Sequence, residues 1–418
     1  MKTWGIAGEA ATLVGGKVAA QGIALAAYFA LTRLFSPDDY GLYNIFYSYI
    51  EVLIILSTCK YELAAIVASD EREASAVERF ALRLNTIVSL TLLTVALILW
   101  LTGALPGNFD QLGWMVLLIP PMVFFGGTSR IYSNLYNRFY RYTQIAISDN
   151  VGAGTGALTK IVFGLLGITS AGLPLGAVLG QAATNINYRL HLGRLGLPDT
   201  TKAESKAAAH KHFNFPLYVA TKDFMNTFSA NLPFLWASAY FDRAEIGLFG
   251  LALTFTMQPV SLLTSAFERV LYARTAEAVR ERRSIAHTIS RFCLLLAVTA
   301  MAACVLAWFF AEPIFTFCFG ERWQGSGIYV RSLLPWAFIG LCSTSLMFVS
   351  NVFSTQRIEL YFNIAMLLLR AAAIYTGIRM GSFLLAIRMY ALASAITHAA
   401  LTAWYLWQTL RYERSLKV

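Results

Sequence analysis

Hydrophobic residues along this chain come in long, unbroken stretches separated by short polar segments. A helix of about twenty apolar residues is long enough to cross the hydrocarbon core of a bilayer. Twelve stretches of this kind can be distinguished: 10–32, 41–68, 82–102, 112–134, 145–168, 170–190, 213–239, 246–270, 289–311, 329–352, 358–378 and 384–409. The pattern predicts an all-α integral membrane protein with about twelve transmembrane helices. The composition agrees, since 57% of the residues are hydrophobic and only 13% are charged.

Basic residues indicate how these helices are oriented. Most of the 33 Lys and Arg residues lie at the N-terminus, in every second segment between predicted helices and in the C-terminal tail. The opposite segments hold only Arg33, Arg243, Arg322, Arg331 and Arg379. Because cytoplasmic loops are enriched in Lys and Arg, both termini are predicted to be cytoplasmic. This distribution also accounts for the net charge of +10, so no nucleic-acid partner is predicted.

The chain divides near its middle into two halves of similar design. The longest polar interruption, residues 191–212, is predicted to be a cytoplasmic linker between an N-terminal six-helix bundle (1–190) and a C-terminal one (213–418). Short internal matches, such as Ser129 with Ser343, suggest a repeat. Because each half has an even number of spans, the two would be related by a pseudo-two-fold axis along the membrane normal. Transporters built in this way hold their substrate between the two halves.

Ionisable side chains interrupt several predicted spans, where they are expensive and usually mark a water-filled cavity. Cations outnumber acids among them, and a low-dielectric cavity with excess positive charge favours an anion. A diphosphate is held better by several Lys or Arg side chains than by one. The cations predicted to bind the substrate are Lys17, Lys160, Lys222 and Arg370. The acids predicted to act in coupling or in ion pairs are Glu51, Asp149 and Asp223.

Simpler explanations remain open for these cations. Lys17 lies about two helical turns from the cytoplasmic edge, so its side chain could extend to the headgroups. Lys160 and Arg370 lie deeper, and an ion pair with Asp149 or Glu51 would neutralise them.

The first span carries a polar stripe on an otherwise apolar helix. Lys17, Gln21, Tyr28 and Thr32 fall on one face at about 100° per residue, as expected of a helix that borders a polar cavity. Glu62, at the inner end of the second span, is instead expected to be solvated.

Two segments carry a family resemblance. Residues 31–68, which begin "LTRLFSPDDYGLYN", and residues 317–340, "FCFGERWQGSGIYVRSLLPWAFIG", resemble polysaccharide flippases. These proteins are the O-antigen translocase (Wzx-like) branch of the multidrug/oligosaccharidyl-lipid/polysaccharide (MOP) exporters. The first segment is similar to their first helical hairpin, and the second to the loop before their tenth span.

The resemblance implies a V-shaped pair of six-helix bundles in the bacterial inner membrane. Such a protein flips an undecaprenyl-diphosphate-linked oligosaccharide from the cytoplasmic to the periplasmic leaflet by alternating access during surface polysaccharide biosynthesis. The four cations named above would bind the diphosphate or acidic sugars. Membrane lipids, a polysaccharide polymerase and a chain-length regulator are the further partners it implies.

Two other functions remain open from the sequence alone. A cation-coupled small-molecule or drug antiporter of the same superfamily would use Glu51, Asp149 and Asp223. A polytopic polysaccharide polymerase or ligase would need a large outer loop and paired catalytic groups, and the sequence offers neither. The five cysteines lack metal-binding spacing, and neither a cofactor nor a metal is predicted.

Overall fold

A computed structural model describes residues 2–105, 107–281, 283–353 and 355–416, apart from some side chains within those ranges. The backbone there is almost entirely helical and contains no β-strand. The helices up to the middle of the chain are α1 (Lys2–Leu34), α2 (Pro37–Thr58), α3 (Tyr61–Val67), α4 (Glu71–Leu101), α5 (Asn108–Leu112), α6 (Ile119–Arg138), α7 (Tyr142–Leu165), α8 (Thr169–Leu192), α9 (Lys202–Lys211) and α10 (Thr221–Leu235). Those that follow are α11 (Arg243–Arg280), α12 (Ala286–Phe319), α13 (Ser326–Ser345), α14 (Phe348–Val352), α15 (Gln356–Arg379) and α16 (Phe383–Leu416).

Helical structure covers all twelve predicted spans. Within the described ranges, eight helical segments are long and apolar enough to cross a membrane by length and composition: Pro37–Thr58, Glu71–Leu101, Phe109–Arg138, Arg243–Thr264, Ile289–Phe319, Ser326–Ser350, Ile358–Arg379 and Phe383–Leu416. The other four predicted spans correspond to α1, α7, α8 and α10, which do not meet those limits. The protein is therefore a multi-pass, all-α membrane protein, as predicted.

The chain forms two compact units, Met1–Phe228 and Ser229–Val418, and the division falls inside α10. In the first unit, α7 packs against α1 and α8, and α6 packs against α2, α4 and α8. In the second unit, α13 packs against α11, α12 and α16, and α16 also packs along α15. The predicted domain limits at 190 and 213 stay a prediction.

Small residues allow α7 and α8 to approach closely. Gly152 and Gly156 on α7 face Gly180 on α8, and a Cβ added to Gly180 would lie 2.8 Å from both the Gly152 carbonyl oxygen and the Gly156 Cα. Inside a membrane the hydrophobic effect does not drive helices together, so their association depends on van der Waals packing, which close approach of the backbones increases. The α7–α8 pair therefore depends on glycine at this crossing.

A sharp break divides the predicted span 41–68 into two helices. Cys59 and Lys60 both have left-handed backbone conformations, with φ of 47° and 60°, and α3 starts immediately afterwards. Each such conformation costs a non-glycine residue about 1–2 kcal/mol. The surrounding structure must stabilise the break, and a contact of Lys60 described below contributes to this.

The predicted linker 191–212 is folded against the first unit. Its helix α9 begins with a capping box in which Thr201 and Glu204 exchange hydrogen bonds. Those bonds from the Thr201 backbone and hydroxyl, followed by one from Arg72 on α4, lower the pKa of the Glu204 carboxyl. At its other end Lys211 lies 2.7 Å from Glu73, also on α4. The segment after span 6 is thus a docked helix that leads directly into α10.

Candidate functional site

The predicted cations lie on different helices of the two units. Lys17 belongs to α1, and its side chain lies outside the described residues. Lys222 is half-buried near the start of α10, directly after a π-helical turn at Phe215–Ala220. Turns of this kind are rare and often occur at functional sites. Lys222 forms no ion pair with any residue that the structure describes.

Lys160, on α7, contacts a tyrosine of α2. Its ammonium nitrogen donates a hydrogen bond of 3.2 Å to the hydroxyl of Tyr43 and lies 4.7 Å from the centre of the same ring. No carboxylate lies within 4.0 Å of this nitrogen in the described part of the chain. The ion pair with Asp149 or Glu51 that the sequence left open is therefore not observed. The charged group of Lys160 is stabilised by a hydrogen bond and a cation–π contact with Tyr43, which is neutral.

Four tyrosines of the first unit form a cluster that contacts this lysine through Tyr43. Tyr40, Tyr43 and Tyr47 follow one another on one face of α2, and Tyr28 reaches the same region from α1. The ring centres of Tyr43 and Tyr47 are 5.9 Å apart, and those of Tyr28 and Tyr40 are 6.0 Å apart. Glu51, one turn beyond Tyr47, is close enough to interact electrostatically with both Tyr43 and Tyr47.

Arg370, on α15, is buried in the second unit with only 2% of its surface exposed. Its Nε donates to Ser394 at 2.8 Å, and one terminal nitrogen donates to Ser229 at 3.2 Å. The guanidinium lies against two rings that pack edge to face, 4.9 Å from the centre of Trp336 and 4.7 Å from that of Tyr390. Among the residues with described side chains, none forms an ion pair with Arg370. A buried cation is thus held by hydroxyl groups and aromatic faces.

The predicted acids do form polar contacts. Asp223, on α10, forms an ion pair of 2.9 Å with Lys60 at the break between α2 and α3. The same lysine lies 4.0 Å from Glu62. Glu62 was expected to be solvated, but it is only 2% exposed, because the break turns its side chain into the contacts of α3 with neighbouring helices. Asp149, on α7, accepts a hydrogen bond of 3.3 Å from Tyr188 on α8.

The structure brings together residues that the sequence analysis did not connect. Lys160 and the α2 tyrosines are more than a hundred positions apart, and so are Lys60 and Asp223. A signal for the tyrosines was present, because Tyr40, Tyr43 and Tyr47 recur at helical spacing. The ion pair between Lys60 and Asp223 could not be predicted from any sequence pattern, because it depends on the packing of the α2–α3 break against α10.

Comparison with solved structures identifies the fold. The lipid II flippase MurJ, in an inward closed conformation, matches with a TM-score of 0.71 at 11% identity, over 96% of this chain and 91% of that one. An inward-facing MATE family multidrug resistance transporter of the MOP superfamily matches with a TM-score of 0.67 at 14% identity, over 95% of each chain. A MOP superfamily transporter from Pyrococcus furiosus Vc1, described as having a binding pocket of reverse polarity, matches with a TM-score of 0.57 at 15% identity, over 99% and 96%.

Sequence comparison identifies the family. No match was found among curated protein sequences. The profile of a family described as "Polysaccharide biosynthesis protein" matches residues 30–327, which is well over half of the chain. Because this match covers most of the chain, the chain belongs to the polysaccharide biosynthesis protein family, and its fold is the one seen in the MOP superfamily transporters and in MurJ.

Proposed function

We propose that this protein translocates an undecaprenyl-diphosphate-linked oligosaccharide from the cytoplasmic to the periplasmic leaflet of a bacterial inner membrane during surface polysaccharide biosynthesis. The observation that carries the proposal is a pair of cations, Lys160 and Arg370, that lie within predicted spans without a carboxylate partner among the described residues. Membership of a polysaccharide biosynthesis family supplies the class of substrate. The MOP fold supplies the transport architecture.

The diphosphate is the part of such a lipid that cannot cross hydrocarbon unaided. Transfer of an ionised group out of water costs many kcal/mol unless charges and hydrogen bonds replace its hydration. Lys160 is partly exposed, so it can contact a phosphate directly. Arg370 is almost fully buried and acts through its positive field, which is screened little inside a protein. We assign Lys17 and Lys222 to substrate binding as well, because both lie within predicted spans of the first unit.

The acids serve a different step in this proposal. Asp223 binds Lys60 at the α2–α3 break, so rupture of that pair would release α10 from α3. Glu51 and Asp149 are further candidates for coupling transport to an ion gradient. Both termini are proposed to be cytoplasmic, and a polymerase and a chain-length regulator would act on the exported lipid-linked glycan. Asp223 and Asp149 already bind Lys60 and Tyr188, so they are less available to bind a cationic drug, which favours this function over a drug antiporter.

Substitution of Lys160 tests the proposal. In a strain that depends on this protein, Lys160→Met removes the charge while keeping an unbranched side chain, so surface polysaccharide should fall at least about tenfold, the effect expected of losing a charge-assisted hydrogen bond. Lipid-linked glycan should accumulate in the inner leaflet. Lys160→Arg keeps the charge and should retain most export. Lys206→Met, on the exposed face of α9, is the matched control and should export normally.

The measurements are the amount of surface polysaccharide, the leaflet distribution of the lipid-linked precursor and the amount of protein in the membrane. Normal export by Lys160→Met at normal abundance would contradict the assignment of this residue. Deletion of the protein without any accumulation of a lipid-linked glycan would contradict the function itself.

A further inference from the structure

We propose that the tyrosine side chains next to Lys160 form a subsite for the pyranose ring that is directly attached to the lipid diphosphate. This inference deepens the proposed function and rests on it. The subsite, called the tyrosine shelf here, consists of Tyr28, Tyr43 and Tyr47 together with Lys160, all within the first unit.

The first step is geometric. The Lys160 ammonium lies 3.2 Å from the Tyr43 hydroxyl, and the ring centres of Tyr43 and Tyr47 are 5.9 Å apart. A phosphate bound to Lys160 would therefore lie next to a pair of neighbouring aromatic rings. In a lipid-linked glycan the first pyranose is attached directly to the second phosphate. A cation with aromatic rings close by is the combination that this part of the substrate requires.

The second step concerns the polarity around Tyr47. This side chain is 39% exposed although it lies within α2, a candidate membrane span. An exposed tyrosine at such a position could simply face lipid. However, Tyr47 also interacts electrostatically with Tyr43, Glu51, Arg130 and Tyr28. A carboxylate and a guanidinium beside the ring are unfavourable against acyl chains, so these neighbours indicate a polar, water-accessible surface.

The third step is chemical. A tyrosine combines an apolar ring face, which carries negative quadrupole charge, with a hydroxyl at its edge. A pyranose has the complementary arrangement, with C–H groups on its faces and hydroxyl groups around its rim. Tyr47 can stack against the sugar face while neighbouring tyrosine hydroxyls donate or accept hydrogen bonds at the rim and the Glu51 carboxylate accepts them. Because stacking uses the C–H face, it tolerates different substituents on the sugar.

Asn44 adds a polar group on the same helix. It lies on α2 one turn from both Tyr40 and Tyr47, and its side-chain nitrogen is buried without a hydrogen-bond acceptor among the described residues. Buried donors are nearly always satisfied, so a donor without a protein acceptor calls for another partner, such as a water molecule or a ligand. A substrate hydroxyl or a bridging water at the shelf would satisfy it.

The test compares two lipids that differ only in the sugar. Purified protein in nanodiscs is titrated with undecaprenyl diphosphate and, separately, with undecaprenyl-diphosphate-linked N-acetylglucosamine. The wild type should bind the glycosylated lipid more tightly. Tyr47→Leu should weaken binding of the glycosylated lipid about tenfold, the upper end of an aromatic contact, and leave binding of the bare diphosphate unchanged. Tyr47→Phe keeps the ring and should retain most of the difference.

The outcomes separate this inference from the proposed function. If the wild type binds both lipids, and Lys160→Met weakens both, the proposed function survives. If Tyr47→Leu then lowers affinity for the two lipids equally or not at all, the tyrosine shelf is wrong. If the wild type binds neither lipid, the proposed function itself fails. A thermal unfolding midpoint for Tyr47→Leu equal to that of the wild type shows that the variant is folded.

Discussion

At the level of single residues, the clearest departure from ordinary membrane-protein chemistry is the buried guanidinium of Arg370. Its two serine partners and two aromatic faces are neutral, and no described carboxylate balances its charge. An unpaired charge in the interior carries a desolvation cost that hydroxyls and cation–π contacts offset only in part. A buried charge with this cost points to a role other than stability. Under the proposed function that role is to supply positive potential.

This reasoning predicts opposite effects of Arg370→Met on folding and on transport. Methionine fills a similar volume without a charge, so the thermal unfolding midpoint in detergent should be unchanged or raised. Surface polysaccharide should nevertheless fall severalfold. Ser394→Ala removes the acceptor of the Nε donor and should instead lower stability by about 1–3 kcal/mol. A lower midpoint for Arg370→Met would show that the arginine is structural.

At the level of helices, the crossing of α7 and α8 has the least tolerance for change. A Cβ at Gly180 would meet backbone atoms of α7 at 2.8 Å, and backbone cannot rotate away as a side chain can. Gly180→Ala should therefore separate the helices and destabilise the protein by about 1–3 kcal/mol, the usual cost of overpacking. Gly154→Ala on α7 is the control, because a Cβ there meets nothing within 4 Å. The thermal unfolding midpoints of the two variants would be measured in the same detergent. Equal midpoints would contradict the close packing of α7 and α8 at Gly180.

The helices also show which structural features could be predicted from the sequence and which could not. Hydropathy placed helical structure at all twelve predicted positions, and eight of the described helical segments are long and apolar enough to cross a membrane, because the bilayer imposes a length on apolar segments. It missed the α2–α3 break, because the left-handed residues there are Cys59 and Lys60 instead of glycine, and neither signals a turn. It also did not indicate helix α9 within the predicted linker 191–212, although Thr201 and Glu204 have the spacing of a capping box. Docking of α9 depends on partners on α4 that no local pattern reveals.

Candidate site residues were predictable only as a class. The cost of burying charge selected Lys160 and Arg370 from the sequence, and both occupy unusual environments in the structure. Their partners, however, are neutral side chains on other helices, and a one-dimensional pattern does not indicate which helices meet. Tyr43 and Ser394 therefore became visible only in the folded chain.

At the level of the whole molecule, orientation in the membrane follows from the basic segments and can be tested by labelling. In a chain whose five cysteines are replaced by alanine, Lys206→Cys lies on the exposed face of α9, and Arg322→Cys lies exposed between α12 and α13. Because 191–212 is rich in Lys and Arg, position 206 should be cytoplasmic and position 322 periplasmic. An impermeant maleimide added to spheroplasts should therefore label position 322 at once and position 206 only after permeabilisation.

The neighbouring residue Ser205 would be a poor probe, because it is fully buried against the first unit and would stay unlabelled on either side of the membrane. Labelling of position 206 in intact spheroplasts would invert the topology. The basic loops would then face the periplasm, and the undecaprenyl-linked substrate would have to enter from the side that is poor in Lys and Arg. Directional export as proposed therefore requires this single result, and it can be obtained without identifying the glycan.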